Sequence, residues 1–116
     1  MMFFRSNKPN IRKIDDRCSV SGQISVEDVK AIADAGFKAI VCSRPDNEQS
    51  GQPAFADIAR EAKKHGLASA HIPVSGFLSQ SQAMRFRETM DAAKGPVLVY
   101  CLSGARAASL YSTYRK

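Results

Sequence analysis

Hydrophobic positions along the chain follow two different periods. Short runs rich in β-branched residues, typical of buried strands, alternate with longer segments in which apolar residues recur every three to four positions, as on one face of a helix. This alternation predicts βα units that build a largely parallel sheet. We therefore expect a three-layer α/β domain with helices flanking the sheet.

Capping and breaking residues place the individual elements. Ser25, with Asp28 three positions later, predicts the start of a first helix, and Gly36 ends it. The other predicted elements are strands over 37–43, 68–74 and 97–101 and helices over 53–66, 80–94 and 104–114.

The predicted strands have their carboxyl ends at one edge of the sheet, where open α/β sheets bind ligands. Three loops are predicted to share this edge, namely residues 43–52, 74–79 and 101–106. We expect the functional site among these loops.

Length and charge narrow the function classes. The 116 residues suffice for one core, so we expect a single domain over 1–116, with residues 1–10 a poorly ordered or edge segment. A formal net charge of +6 favours anionic partners, either a small molecule or a phosphorylated protein. Basic residues are scattered among carboxylates rather than clustered with aromatic residues, so no nucleic-acid partner is expected. The oligomeric state is left open.

Cysteine and histidine usage points to a reducing compartment and a metal-free site. Three widely separated cysteines do not suggest a disulfide framework, and the apolar start at 1–4 is too short for a signal sequence, so a cytoplasmic location is expected. No run is long enough to predict a membrane span. His65 and His71 are not spaced with cysteines or carboxylates as zinc ligands are, so we expect no metal and no other cofactor.

The most distinctive chemistry lies in the segment 97–107, where an apolar strand ends on Cys101 and a short loop leads into a helix that carries Arg106. A thiolate nucleophile needs this arrangement, because loop amides converge on the group under attack and the helix N-terminus lowers the thiol pKa. Arg106 supplies a planar charged fork for an oxyanion. Cysteine also occurs as a small buried apolar residue, the interpretation we prefer for Cys18 and Cys42.

Several motifs, taken in order, resemble those of one bacterial family. They are the segment 19–25, Arg44-Pro45-Asp46, Gly51-Gln52-Pro53, His71-Ile72-Pro73-Val74 and Cys101-x-Ser103-Gly104-x-Arg106. Together they resemble the beta-lactamase hydrolase-like phosphatase domain of bacteria, over residues 14–111. The resemblance implies a fold similar to that of dual-specificity and tyrosine phosphatases, with a mainly parallel sheet of four to five strands. It also implies a hydrolase acting on phosphomonoesters.

The loop chemistry and the resemblance together assign roles to individual residues. Cys101 is the expected nucleophile and forms a cysteinyl-phosphate, while Arg106 and the loop amides hold the phosphate oxygens. Asp46 is the candidate acid for the leaving group, with turn chemistry as the alternative. Arg44 adds a second positive charge at the rim, unless it is a solvated surface residue. The expected phosphate-binding set is Leu102, Ser103, Gly104, Ala105, Arg106 and Arg44.

Two alternative functions remain open. Four residues separate Cys101 from Arg106, a shorter loop than in protein tyrosine phosphatases and one also seen in rhodanese-like sulfurtransferases, where the cysteine carries a persulfide. The loop departs from the family's usual sequence, since Leu102 replaces an arginine, Ala105 a threonine and Ala107 a serine. Because these replacements remove polar contacts from the loop, a non-catalytic phosphate-binding module is the second alternative.

The loop 74–79 contains no aspartate to protonate a leaving group, which favours aryl phosphates as substrates.

Overall fold

A five-stranded sheet lies at the centre of the structure, a computed structural model that describes residues 10–115. The strands are β1 (Arg12–Lys13), β2 (Cys18–Ser21), β3 (Ala39–Cys42), β4 (Ala68–His71) and β5 (Val97–Tyr100). Their order in the sheet is β1-β2-β5-β3-β4, and among these strands only β1 runs antiparallel to its neighbour. The predicted mainly parallel sheet is confirmed. Apart from Asn10, the expected edge segment 1–10 lies outside the described residues.

Four α-helices cover the two faces of the sheet. They are α1 (Val29–Asp34), α2 (Phe55–Lys64), α3 (Gln80–Ala92) and α4 (Ala105–Arg115), and a 3-10 turn at Val26–Asp28 leads into α1. Side chains of α1 and α2 pack in one apolar core, and those of α3 and α4 in the other. The predicted three-layer arrangement is therefore confirmed.

Strand β5 connects the two cores because successive side chains of a strand point to opposite faces. Val97 and Val99 belong to the core beneath α3 and α4, whereas Leu98 and Tyr100 belong to the core beneath α1 and α2. All four side chains are buried, which explains why this strand is a continuous apolar run. The strand gives the residue that follows it, Cys101, a rigid base.

Local chemistry sets several element boundaries. The Asp28 carboxylate accepts hydrogen bonds from the Ser25 N–H at 2.8 Å and from its hydroxyl at 3.0 Å, so the predicted cap precedes α1. The strand predicted over 68–74 ends at His71, shortly before Pro73, which has no N–H to donate. The sequence does not single out β2, because the alternation of apolar and polar residues in Cys18-Ser19-Val20-Ser21 covers only four positions. All four of these residues are buried.

No helix in the described part of the chain is both long enough and apolar enough to span a bilayer.

Candidate active site

The loop after β5 is held against the end of β2. The Cys101 N–H donates to the Ser21 carbonyl at 3.2 Å, and the Gln23 N–H donates to the Leu102 carbonyl at 3.3 Å. Gly22 lies so close to the loop that a Cβ there would be 2.8 Å from the Leu102 oxygen. Gly104, with φ of +98°, then turns the chain into α4, a conformation that glycine adopts without strain. Both glycines are needed to give the loop its shape.

The Cys101 thiol is buried, yet it faces polar groups of the backbone. The Gly104 N–H donates to Sγ at 3.0 Å. Burial raises the pKa of the thiol, but backbone N–H groups of the loop and of the first turn of α4 outweigh that effect, and the net pKa lies below its ordinary value. The contributing amides are those of Ala107, Ser103, Gly104 and Arg106. The arrangement therefore stabilises a thiolate at the carboxyl edge of the sheet.

Arg106 is fixed by two groups from the other predicted rim loops. Its Nη1 donates to Glu48 Oε2 at 2.7 Å and to the Val74 carbonyl at 3.0 Å, and its Nη2 donates to Glu48 Oε1 at 2.8 Å. These contacts use both hydrogens of Nη1 and one hydrogen of Nη2. The edge formed by Nε–H and the second Nη2 hydrogen has no acceptor oxygen among residues 10–115. Hydrogen bonding to Glu48 raises the pKa of Arg106, and the nearby Cys101 raises it further.

Glu48 joins two arginines and was not singled out by the sequence. Besides both contacts to Arg106, its Oε1 accepts from Arg44 Nε at 2.9 Å. These two guanidinium groups lower the pKa of Glu48 to about 2. The sequence gives only a weak indication that Glu48 pairs with Arg106, because Glu48 is one of several polar residues in the loop 43–52 and Arg106 is 58 positions away.

The structure corrects the placement of Arg44. Its side chain is only 1% exposed, so it is neither a free charge at the rim nor a solvated residue. Besides Nε, its Nη1 donates to Gln23 Oε1 at 2.7 Å and its Nη2 to Gln49 Oε1 at 3.0 Å. The His71 Nε2 donates to the Arg44 carbonyl at 2.8 Å. A buried guanidinium bonded in this way anchors the loop that carries Glu48.

Asp46 has a contact of its own at the start of α2. Its Oδ1 accepts from the Phe55 N–H at 2.9 Å, and none of its hydrogen bonds within residues 10–115 reaches Cys101 or Arg106. This contact fits the interpretation of Asp46 as a turn and helix-start residue. Its role as an acid stays a prediction.

The remaining loop positions present backbone rather than side chain. Leu102, Ser103 and Ala105 are exposed, and Gly104 is buried. The Ser103 hydroxyl contacts the Ala105 N–H at 3.4 Å. Within the described residues, no group of three or more histidine, cysteine or carboxylate side chains is arranged to hold a metal ion.

A comparison with protein families identifies the chain. Residues 10–115 match the phosphatase-like domain of beta-lactamase hydrolase-like proteins. The chain belongs to this family. A beta-lactamase hydrolase-like protein of Agrobacterium fabrum is 35% identical over 100 residues, which are 85% of this chain and 23% of that protein. The chain thus spans about a quarter of the length of that relative.

Solved structures agree with the family. A candidate phosphatase from Neisseria meningitidis is 34% identical and superposes with a TM-score of 0.80, over 90% of this chain and 75% of that one. TpbA of P. aeruginosa, a cysteine-to-serine variant in complex with phosphotyrosine, is 15% identical with a TM-score of 0.66, over 91% of this chain and 62% of that one. The fold expected from the motifs is confirmed.

The motifs of this phosphatase-like domain meet at one edge of the sheet. Gly22 packs on the loop 101–104, and Arg44 donates a hydrogen bond to Glu48. The Val74 carbonyl accepts a hydrogen bond from Arg106. The three predicted rim loops are thereby joined by hydrogen bonds. A fourth segment, residues 22–23 after β2, completes the edge.

Proposed function

We propose that this phosphatase-like domain hydrolyses phosphomonoesters with Cys101 as the nucleophile. The observation that carries the proposal is the environment of Sγ, which is buried and yet accepts the Gly104 N–H at 3.0 Å, with further amides holding the pKa below its ordinary value. Because the thiolate is the nucleophilic form of cysteine, these amides favour the reactive species.

Arg106 and the loop amides supply donors for the phosphate oxygens. Glu48 and the Val74 carbonyl engage one end of the guanidinium, which leaves the Nε and Nη2 edge to pair with two oxygens of an anion. Backbone N–H groups at the start of α4 add to this positive potential. In this geometry Glu48 acts as a positioning residue, because it touches Arg106 rather than the substrate.

The proposed reaction has two steps. First the Cys101 thiolate attacks phosphorus, an S–P bond forms, and the P–O bond to the leaving group breaks with its electron pair on oxygen. Water then attacks the cysteinyl-phosphate, the S–P bond breaks, and the thiolate and inorganic phosphate are released. The proton lost by the attacking water balances the proton that the leaving group takes up.

The leaving group determines which esters react well. The loop 75–79 contains serine, glycine, phenylalanine and leucine but no carboxylate, and Asp46 contacts α2 instead. An alcohol that departs without a proton must be a stable anion. Phenols, with a pKa of about 10 in tyrosine, meet this need better than alkyl alcohols. We therefore expect aryl phosphates to react faster than alkyl phosphates.

The test is phosphate release from p-nitrophenyl phosphate by the wild-type protein and by Cys101→Ser. We expect turnover in the wild type, a loss of at least about a thousandfold in the variant, and an acid-quenched wild-type protein heavier by one phosphoryl group. Cys18→Ala is the matched control, because it alters another buried cysteine. Turnover by Cys101→Ser at the wild-type rate would contradict the proposal.

Sulfur transfer is the second candidate, favoured by the absence of an acid in the loop 75–79. The Cys101 thiolate would attack the outer sulfur of thiosulfate, forming an S–S bond and releasing sulfite. Cyanide would then take the terminal sulfur as thiocyanate and restore the thiolate. Thiocyanate formation without phosphate release would make sulfur transfer the function. Phosphate binding with neither turnover would identify a binding module.

A further inference from the structure

A groove runs along α4, beside the phosphate-binding edge. It has a volume of about 390 Å³, and one wall is the loop after β4 while the other is a face of the helix. The residues that matter are Val74, Phe77 and Leu78 on the loop and Arg106, Leu110 and Thr113 on the helix. This volume falls within the range of small-molecule sites, which starts at about 300 Å³.

The groove begins at the arginine of the site. Arg106, Leu110 and Thr113 follow one another at helical spacing, so they form one stripe on the surface of α4. Seven residues of helix measure about 10 Å, which is room for an aromatic ring next to a phosphoryl group. Arg106 lines the groove and also offers an edge to an anion, so the groove and the proposed phosphate site share this residue.

Phe77 is the most exposed large apolar side chain in the described residues. It is 89% exposed, so its ring contributes little to the core, and it lies on the wall of the groove. Leu78 beside it is half-buried and packs against the core of α3 and α4. Among the lining residues in the described part of the chain, Arg106 is the only charged one. The other lining side chains are apolar or carry a hydroxyl group, so an uncharged group suits the groove better than a charged one.

We propose that this groove binds the aromatic leaving group of an aryl phosphomonoester and that Phe77 is the residue that selects for it. The proposal rests on the proposed function and deepens it. Three observations agree: a groove lined by Arg106, an exposed aromatic ring on its wall, and a loop without an acid, which suits phenolic leaving groups. Rings of the two partners stack in offset or edge-to-face geometry.

The first test compares two activated phosphates that differ in the ring. p-Nitrophenyl phosphate and acetyl phosphate both release a stable anion, but only the former has an aromatic ring. We expect Phe77→Ala to lower kcat/KM for p-nitrophenyl phosphate about three- to tenfold, the contribution of one aromatic pair, and to change that for acetyl phosphate less than about twofold. Met84→Ala is the matched control, because Met84 is 60% exposed on α3 and does not line the groove.

The second test measures binding and does not depend on turnover. Cys101→Ser protein is titrated with phenyl phosphate and with methyl phosphate, which carry the same charge. We expect phenyl phosphate to bind about tenfold more tightly, and addition of Phe77→Ala to remove most of that preference. A phosphotyrosine peptide is titrated alongside, and both aryl ligands should respond to Phe77→Ala. Tighter binding of the peptide identifies a protein as the source of the ring, and equal or weaker binding identifies a small ester.

The two proposals fail in different ways. Absence of phosphate release from every ester overturns the hydrolase, while a preference for phenyl over methyl phosphate still supports the groove. Equal affinities for the two esters overturn the groove, as does an equal loss of kcat/KM for both activated phosphates in Phe77→Ala. Neither of these results affects the hydrolase.

Discussion

Two buried cysteines at opposite ends of neighbouring strands behave in opposite ways. Cys18 starts β2 and Cys101 follows β5, and both are at most 1% exposed. Burial, with the Asp15 carboxylate, raises the pKa of Cys18 to about 12, whereas loop amides bring the pKa of Cys101 below its ordinary value. Burial alone therefore does not decide the state of a thiol. The direction in which neighbouring backbone groups point decides it.

The hydrogen bonds of the three cysteines make the difference concrete. The Cys18 Sγ lies 3.6 Å from the Ser19 carbonyl and the Cys42 Sγ lies 3.3 Å from the Arg44 carbonyl, so both thiols act as donors and keep their proton. The Cys101 Sγ instead accepts the Gly104 N–H. The loop after β5 and the first turn of α4 give Cys101 four such amides, which outweigh burial. At Cys42, which also ends a parallel strand, burial outweighs the hydrogen bonds and the pKa is raised.

The largest effect on the proposed chemistry of Cys101 is expected when Arg106 is changed. We expect Arg106→Lys to lower kcat/KM for p-nitrophenyl phosphate about a hundredfold, since an ammonium group cannot reproduce the fork that meets Glu48 and an anion together. Steady-state kinetics measures this loss. The matched control is Arg115→Lys, because Arg115 is the arginine whose charge acts on Cys18. Rates within threefold of wild type for Arg106→Lys would contradict the account.

A smaller effect is expected when the support of Arg106 is changed. Glu48→Gln keeps the size of the side chain but loses the charge and one acceptor, so we predict about a tenfold loss in kcat/KM and a similar weakening of inhibition by inorganic phosphate. The matched control is Glu61→Gln, which alters another paired and similarly exposed glutamate. Weaker phosphate inhibition separates a positioning role from a general loss of stability. Equal effects of the two variants would argue against positioning.

Glu48 also makes a prediction about pH. Its pKa is about 2 in the folded protein and 4.5 ordinarily, so on acidification the unfolded chain takes up this proton first. The stabilisation by its two arginines is thus complete above about pH 4.5 and is lost as the pH falls towards 2. The difference in Tm between wild type and Glu48→Gln should shrink across this window in thermal unfolding. A difference independent of pH would contradict the assignment.

The smallest effect is predicted for Asp46. Asp46→Asn keeps an oxygen to accept from the Phe55 N–H but cannot donate an acidic proton. If Asp46 only supports α2, kcat for p-nitrophenyl phosphate and for phenyl phosphate should change less than about twofold. A loss confined to phenyl phosphate, whose leaving group needs a proton more, would instead identify Asp46 as the acid.

Much of the frame was predictable because it depends on local patterns. The apolar run of β5, its cysteine and the glycine-containing loop lie within one continuous segment, so the sequence predicts where the thiol, the amides and Arg106 come together. The rim loops follow in the same way from the ends of parallel strands.

What escaped prediction depends on contacts between distant positions. Arg44 is buried because Gln23, 21 positions earlier, and Gln49 accept from it, and no local signal distinguishes such an arginine from a solvated one. Glu48 acquires its role only through Arg106, which the fold brings beside it. Strand β2 alternates Cys18 and Val20 with two serines over only four positions, and both serines are buried, so the alternation does not mark a solvent-exposed face.

The pKa of Cys101 in the folded protein tests the central claim most directly. The ultraviolet absorbance of the thiolate is followed as the pH is raised, and the curve of Cys101→Ser is subtracted from that of the wild type. The account predicts a midpoint for Cys101 clearly below the ordinary value of about 8.5, with Cys18 still protonated at that pH. A midpoint at or above the ordinary value would show that the loop amides do not stabilise the thiolate, and the proposed chemistry would be contradicted.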